Sequence, residues 1–400
     1  MTKTKMDHEK QGRVHPRVAD LKNKFLKGEV DRREFLRTTT LLGLSAAAAY
    51  SFTDTFSNEL PSLISSAEAA TPKKGGTIRC AMQVQDMSDP AVYDWVEKSN
   101  VTRQMAEYLT ITGSDNVTRP YLAEKWVPSD DLKTWTFHIR KGVKFGNGDE
   151  LTADDVIVNI KRWLDPNVGS SMVGMLNTML KEEDGKDKDG KAIKVKRMIE
   201  GSVEKVDTYT VRIHLNSPDL SIPEKMYHYP AVIMHRSFAE KGANITKTPD
   251  LGTGPYTLAE FRVGEIAILK RRGGGFKYWG EDPLLDEIHY IDTGQDAAAS
   301  LAALASGQVD TIYVLDLTLL AAAQSMPGIK VHEVTTAQTG VMRIQSLKAP
   351  YNDIRVRQAM QLAADNEQML KTAHQGRGQV AENHHVCACQ PDYAPLPKIK

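Results

Sequence analysis

Four side chains in the run ENHHVCAC, His384, His385, Cys387 and Cys389, form the densest set of metal-binding groups in the chain. Imidazole and thiolate are borderline-soft donors that suit nickel, copper or zinc. Their spacing is unfavourable: a Cys-x-Cys pair closes a small strained ring, and four ligands inside six residues wrap a tetrahedral ion badly. The reading that follows is a solvated or cleft-rim loop, with no metal and no cofactor assigned. Gly185 to Lys191, GKDKDGK, has the outline of a phosphate loop, but Ala192 stands where a magnesium-holding Ser or Thr is needed and no apolar strand precedes it. As an EF-hand the same run fails, because Gly185 and Lys196 fall where carboxylates must be. Gly376-Arg377-Gly378-Gln379-Val380-Ala381 spells G-x-G-x-x-A, yet follows a helical pattern rather than a strand. No G-x-S-x-G elbow or H-E-x-x-H helix occurs. Chemistry that binds rather than transforms is therefore expected.

The elements that must position a site are best written between Pro120 and Val156, PYLAEKWVPSDDLKTWTFHIRKGVKFGNGDELTADDV. From Thr134, Trp135, Phe137 and Ile139 alternate with Thr136, His138 and Arg140, the period of a half-buried strand. Gly146, Asn147, Gly148 and Asp149 must then turn the chain. A helix follows, with Thr152 as its cap and Asp155 at the capping-box position, and Val156, Ile157, Ile160 and Trp163 at helical spacing. Val206, Val211, Ile213 and Leu215 predict a further hairpin between Val203 and Leu215. Thr77 to Gln85 reads as a first strand, and Val101, Met105 and Leu109 as one face of a helix. The charged stretch from Glu182 to Lys196 reads as a solvated excursion. Gly252-Thr253-Gly254-Pro255-Tyr256 predicts a stiff re-entry turn whose glycines take backbone angles closed to other residues. Ile288 to Ile291, an alanine-rich helix over Ala297 to Ser306, Gly307, and Thr311 to Val314 predict a strand, helix, strand unit with parallel pairing. A helix after Asp353, with Val356, Ala359, Met360 and Ala363 on one face, should stop near Gly376. Cys80 falls on a core strand and reads as inert.

This block resembles the signature of the extracellular solute-binding proteins of family 5, which serve peptide, opine and nickel ABC importers. The matching pieces are LAE-x-W at Leu122 to Trp126, TWTF-x-x-R-x-G-V-x-F from Thr134, and T-A-D-D-V from Thr152. In the same order follow Gly252 to Tyr256, Asp310 within SGQVD, and Asn352-Asp353 with Arg355-Val356-Arg357-Gln358-Ala359. The resemblance implies an α/β fold of the periplasmic binding protein-like class II (cluster C), multi-lobed, with mixed sheets and strand crossings between lobes. It implies a main lobe over 71–112 and 247–335, a small second lobe over 113–246, and a third lobe over 336–400, which is expected to be an incomplete copy with exposed apolar surface. By the same likeness the loop after the first strand faces the ligand cleft, where Tyr93 and Trp95 could stack or hydrogen-bond, or else pack beneath the loop. Gln338, Thr339 and Gly340 match a stretch whose backbone approaches ligand in relatives.

The first seventy residues read as a targeting segment. Arg32, Arg33, Phe35 and Leu36, within DRREFLR, resemble a twin-arginine export motif ahead of a weakly apolar stretch, and Ala67-Glu68-Ala69 offers small residues for cleavage. That stretch is shorter than the roughly 20 apolar residues a membrane-spanning helix requires. Eleven of the 51 basic and nine of the 51 acidic residues lie in this segment, so the remainder carries 40 and 42. Such balance excludes nucleic acid as the expected partner. The expectation is a monomeric, non-enzymatic periplasmic protein, exported by the twin-arginine translocase, that captures a small peptide or similar polar solute and hands it to an ABC permease; a nickel or other metal chelate, or an opine-like solute, is the alternative cargo.

Overall fold

The computed structural model describes residues 14–56, 73–113, 115, 117–186, 190–334, 336 and 338–381. His384, His385, Cys387 and Cys389 lie outside the described residues, as does the cleavage stretch at Ala67–Ala69.

Helices α1 (Arg17–Leu26), α2 (Arg32–Leu41) and α3 (Ala46–Phe56) come first. Phe25, Phe35 and Phe52 cluster between them, with ring centroids 4.9, 5.2 and 6.2 Å apart. This segment packs on the body of the protein rather than standing apart from it. Trp126 donates its indole N–H to the Leu41 carbonyl at 3.0 Å, Arg37 forks onto Glu224 at 2.6 and 3.2 Å, and the Tyr50 hydroxyl reaches Asp115 at 2.5 Å.

The strands in chain order are β1 (Thr77–Ala81), β2 (Thr110–Thr112), β3 (Thr118–Pro120), β4 (Ala123–Pro128), β5 (Thr134–Ile139), β6 (Leu180–Lys186), β7 (Ala192–Met198), β8 (Val203–Asp207), β9 (Thr210–His214), β10 (Tyr256–Arg262), β11 (Ile266–Arg271), β12 (Glu287–Ile291) and β13 (Thr311–Ile312). β4-β5-β9-β8 form an antiparallel sheet. On β5, Trp135, Phe137 and Ile139 are buried while the residues between them are half-exposed, as their alternation predicts. Gly148 turns the chain with φ +92°. Helix α5 (Ala153–Trp163) then begins at Thr152. The fully buried Asp155 carboxylate accepts from the Thr152 backbone N–H at 2.9 Å and from Arg236 backbone and guanidinium at 2.9 and 3.2 Å. Val156, Ile160 and Trp163 face the core.

The second sheet, β10-β11-β12-β1-β13, is mixed. β1 lies between β12 and β13 and runs parallel to both, Cys80 standing opposite Tyr290 on one side and Thr311 on the other. Helix α6 (Ala297–Ala305) joins those two strands, and Gly307 ends it with φ +74°. Parallel pairing is present, but through the interposed β1. One continuous core joins both sheets, from Trp135 and Val156 to Tyr256 and Leu269.

The charged stretch is solvated, as expected, and is folded as a largely exposed hairpin, β6 with β7, whose facing residues pair as Lys194–Asp184 at 2.7 Å. Two expectations are corrected. Helix α4 (Val96–Thr102) stops before Met105 and Leu109, which are buried from the turn that follows it. Gly252 and Gly254 do not adopt positive φ. They are small because the Gln104–Met105 backbone passes against them: a Cβ on Gly252 would sit 2.3 Å from the Met105 carbonyl oxygen, and one on Gly254 2.5 Å from that of Gln104. The turn between them is held by Glu107, 1% exposed. Its carboxylate accepts from Thr253 and Trp279 at 2.8 Å, from Tyr121 at 2.7 Å and from Tyr278 at 2.5 Å.

The described residues separate into two compact units, the first ending at Val314 and the second starting at Leu315. The second holds helices α7 (Leu320–Ser325), α8 (Ile354–Ala363) and α9 (Asn366–Ala373). The single helix expected after Asp353 is thus two, broken where Ala364 leaves the helical region and Asp365 caps the next by accepting from Gln368 N–H at 2.9 Å. Neither α8 nor α9 has a buried residue, and apolar side chains stand exposed, Leu347 at 92% and Met342 at 74%.

Candidate functional site

Three parallel strands send their carboxyl ends to one place. Met82 and Gln83 follow β1, Thr293 to Gln295 follow β12, and Tyr313 and Val314 follow β13; together with Ala297 and Ser300 of α6 and Glu97 of α4 they line a cleft of about 180 Å³. Ligands of open α/β sheets bind in this crevice beyond the carboxyl ends of the strands. A drug-sized ligand needs about 300–1,000 Å³, so the residues of this wall alone do not enclose one.

The wall is preorganised. Asp292 accepts from the backbone N–H groups of Val84 and Gly294, both at 2.9 Å, which fixes the loop after β12 against the loop after β1. Gln85 donates its side-chain amide to Gln83 at 3.2 Å, and Gln83 donates to Gln295 at 3.0 Å. Thr293 and Ser300 share a hydrogen bond of 2.6 Å. Asp296 caps α6 through Ala298 N–H at 2.9 Å. Beside the cleft, Arg79 and Asp310 pair at 2.7 Å, and that guanidinium holds the Asp310 carboxyl below the usual carboxylate range. Burial pushes the Cys80 thiol up to about 11, so it stays protonated at neutral pH and offers no thiolate. Among the described residues, no group of three or more His, Cys, Asp or Glu could hold a metal ion.

The residues singled out from sequence fall in four places. Tyr93 is buried, its hydroxyl donating to the Met87 carbonyl at 2.9 Å and sharing a 2.7 Å bond with Thr102; it pins the loop from beneath rather than lining the cleft. Arg162 clamps Asp89 of the same loop. Trp95 is 59% exposed, at the head of α4 and two residues before Glu97. Gln338, Thr339 and Gly340 belong to the second unit, where Gln338 N–H donates to the Thr336 hydroxyl at 3.3 Å and Thr339 is half-buried. Of the export motif, Asp31 caps α2 by accepting from Glu34 N–H at 2.8 Å, Arg32 reaches the Thr53 hydroxyl at 3.3 Å, Arg33 is exposed, and Phe35 and Leu36 are buried.

Sequence reasoning did not name Gln83, Glu97, Thr293, Gln295, Ser300 or Tyr313. A signal existed. Parallel pairing is legible in the sequence, and residues just past parallel strands share one edge of the sheet.

Residues 118–398 match the family model described as bacterial extracellular solute-binding proteins, family 5 Middle. Heme-binding protein A of Haemophilus influenzae is 30% identical over 282 residues, covering 68% of this chain and 49% of that protein. The periplasmic oligopeptide-binding protein OppA of the same organism is 29% identical over 281 residues, 69% of this chain and 50% of OppA. Among solved structures, the oligopeptide-binding protein AppA from Bacillus subtilis in complex with a nonapeptide aligns with a TM-score of 0.63 at 21% identity, covering 82% of this chain and 61% of AppA, a likeness of fold. The chain spans about half the length of the curated relatives it matches.

Proposed function

The chain belongs to the bacterial extracellular solute-binding proteins of family 5 and has their α/β fold, and from that premise we propose that it captures a peptide or similarly sized polar solute in the periplasm and delivers it to the membrane permease of an ABC importer. The observation that carries this reading is the polar, preorganised cleft at the carboxyl ends of β1, β12 and β13. Its loops are fixed before any ligand arrives, which lowers the ordering cost of binding. A wall of this size needs a second surface to enclose a solute. That surface comes from lobe closure, with the main lobe at 71–112 and 247–335, the small lobe at 113–246 and a further lobe from 336 onward.

Relatives point the same way: OppA of Haemophilus influenzae is named a periplasmic oligopeptide-binding protein. The protein binds and releases its cargo without bond making or breaking, and works as a monomer. Arg32, Arg33, Phe35 and Leu36 direct export through the twin-arginine translocase, after which the segment up to about Ala70 is removed.

The test is small-angle scattering on the full-length protein with a peptide library, together with mass spectrometry of whatever solute copurifies. Peptide-dependent compaction and a copurified peptide are expected. Scattering profiles that no peptide changes, with a nickel chelate or opine as the copurified solute, would overturn the peptide assignment.

A further inference from the structure

The four residues of the export motif are divided between solvent and interior. Arg33 stands exposed on α2, whereas Phe35 and Leu36 of the same helix are buried. Phe35 packs against Phe25 and Phe52 of the leader itself. Leu36 packs against the body: it shares a small apolar cluster with Ala49 and the fully buried Val117, and Val117 is the one member of that cluster from outside the leader.

Three polar contacts hold the leader to the same face. Arg37 forks onto Glu224, with both side chains partly buried. Trp126 donates to the Leu41 carbonyl, and the Tyr50 hydroxyl reaches Asp115, which Arg119 also holds. Val18 and Leu42 add the leader to the main core of the body. Lifting α2 away would return Leu36, Val117 and Trp126 to water and separate the Arg37–Glu224 pair, so burial favours the docked state. A receptor that reads the whole motif must lift α2 to reach Phe35 and Leu36.

We propose that the face of the body formed by Val117, Trp126, Asp115 and Glu224 is a docking site for the chain's own leader, and that docking masks the export motif, so that the translocase competes with the body for α2. The proposal rests on the twin-arginine reading and adds to it a control on when the motif can be read. A motif free about one-tenth of the time binds its receptor about tenfold more weakly than one that is always free.

The test measures binding of the full 400-residue chain to inner-membrane vesicles that carry the twin-arginine translocase and to vesicles that lack it. Wild type is compared with Glu224→Gln, Val117→Asp, their combination, and a chain carrying Arg32→Lys with Arg33→Lys. Hydrogen exchange of the α2 amides reports docking, and that of β5 and β9 reports the fold; Glu224→Gln keeps the side-chain volume should Val117→Asp not fold. At least one docking variant should exchange its α2 amides faster than wild type, with β5 and β9 unchanged, and bind the translocase vesicles about tenfold or more tightly. The Arg-to-Lys chain should lose that binding. Faster exchange of α2 without tighter binding means that the motif is read in place, which overturns the mask and leaves twin-arginine export standing. Unchanged exchange of α2 in every docking variant overturns the docking face. Binding of wild type and variants to both kinds of vesicle alike overturns the twin-arginine reading, and the mask with it.

Discussion

Gly252 and Gly254 stand where two backbone segments nearly touch, and that contact sets what each position tolerates. Gly254 N–H donates to the Met105 carbonyl at 2.8 Å, and the Gly252 carbonyl accepts from Gly146 N–H at 2.9 Å. An added methyl at Gly252 meets backbone at 2.3 Å, and backbone cannot swing aside as a flexible side chain would. Gly252→Ala is therefore expected to cost about 1–3 kcal/mol, as overpacking does, and to lower Tm by about 1–2 °C per kcal/mol in a protein of this size. Gly174 supplies the control, because a Cβ there meets nothing within 4 Å and its φ is not positive. Thermal melts in which Gly252→Ala and Gly174→Ala coincide would show that the close approach does not matter. The sequence marked Gly252 and Gly254 as special but gave the wrong reason, since composition cannot tell a residue chosen for its φ from one chosen for its lack of a side chain.

At the scale of elements, what was legible in the sequence depended on whether periodicity and local turn chemistry agreed. β5 and α5 could be read because Trp135, Phe137 and Ile139 keep period two, the Gly148 turn breaks it, and Thr152 with Asp155 starts the helix. The β6–β7 hairpin could not, because its stability comes from cross-strand charge pairs such as Lys194–Asp184 with little burial, and charge alternation also describes a solvated loop. The cleft residues were hidden for a third reason: Gln83, Gln295 and Tyr313 converge only through the strand order β12-β1-β13, which no local pattern encodes. The α1–α3 segment was set aside as a leader, yet it covers Trp126, which is 5% exposed. If export removes residues 1–70, the Trp126 indole loses the Leu41 carbonyl and meets water. Tryptophan emission of a chain starting at residue 71 should shift to the red, a shift absent when Trp126→Phe is combined with the truncation, while the circular dichroism stays folded. Acid should begin the same release in the intact chain. The hydrogen bond from Arg119, with that from Tyr50, holds the Asp115 carboxyl well below its ordinary value. A lowered folded pKa gives stability that is complete above roughly pH 4 and lost as pH falls through the folded value, so the red shift should appear only in strong acid. Loss of folded circular dichroism on truncation would instead make α1–α3 part of the fold.

For the whole molecule, the two units differ in how much of their backbone is protected by packing. The first carries a core that joins both sheets, with Trp135, Phe137 and Val211 fully buried across β5 and β9. In the second, α8 and α9 bury no residue, so their helical hydrogen bonds lack the apolar cover that makes opening costly, and helices of this length are marginal without tertiary packing. Opening free energy is local and follows such cover. Hydrogen exchange followed by mass spectrometry on the 400-residue chain should find the amides of α8 and α9 exchanging at least about a hundredfold faster than those of β5 and β9. A binding protein that closes on its cargo draws its moving parts from the less stable end of its structure, because closure must reorder them at a cost the ligand can offset. Equal protection of α8, α9 and β5 would mean that the second unit is as firmly held as the first, and would remove this chain's share of the physical basis for closure around a solute.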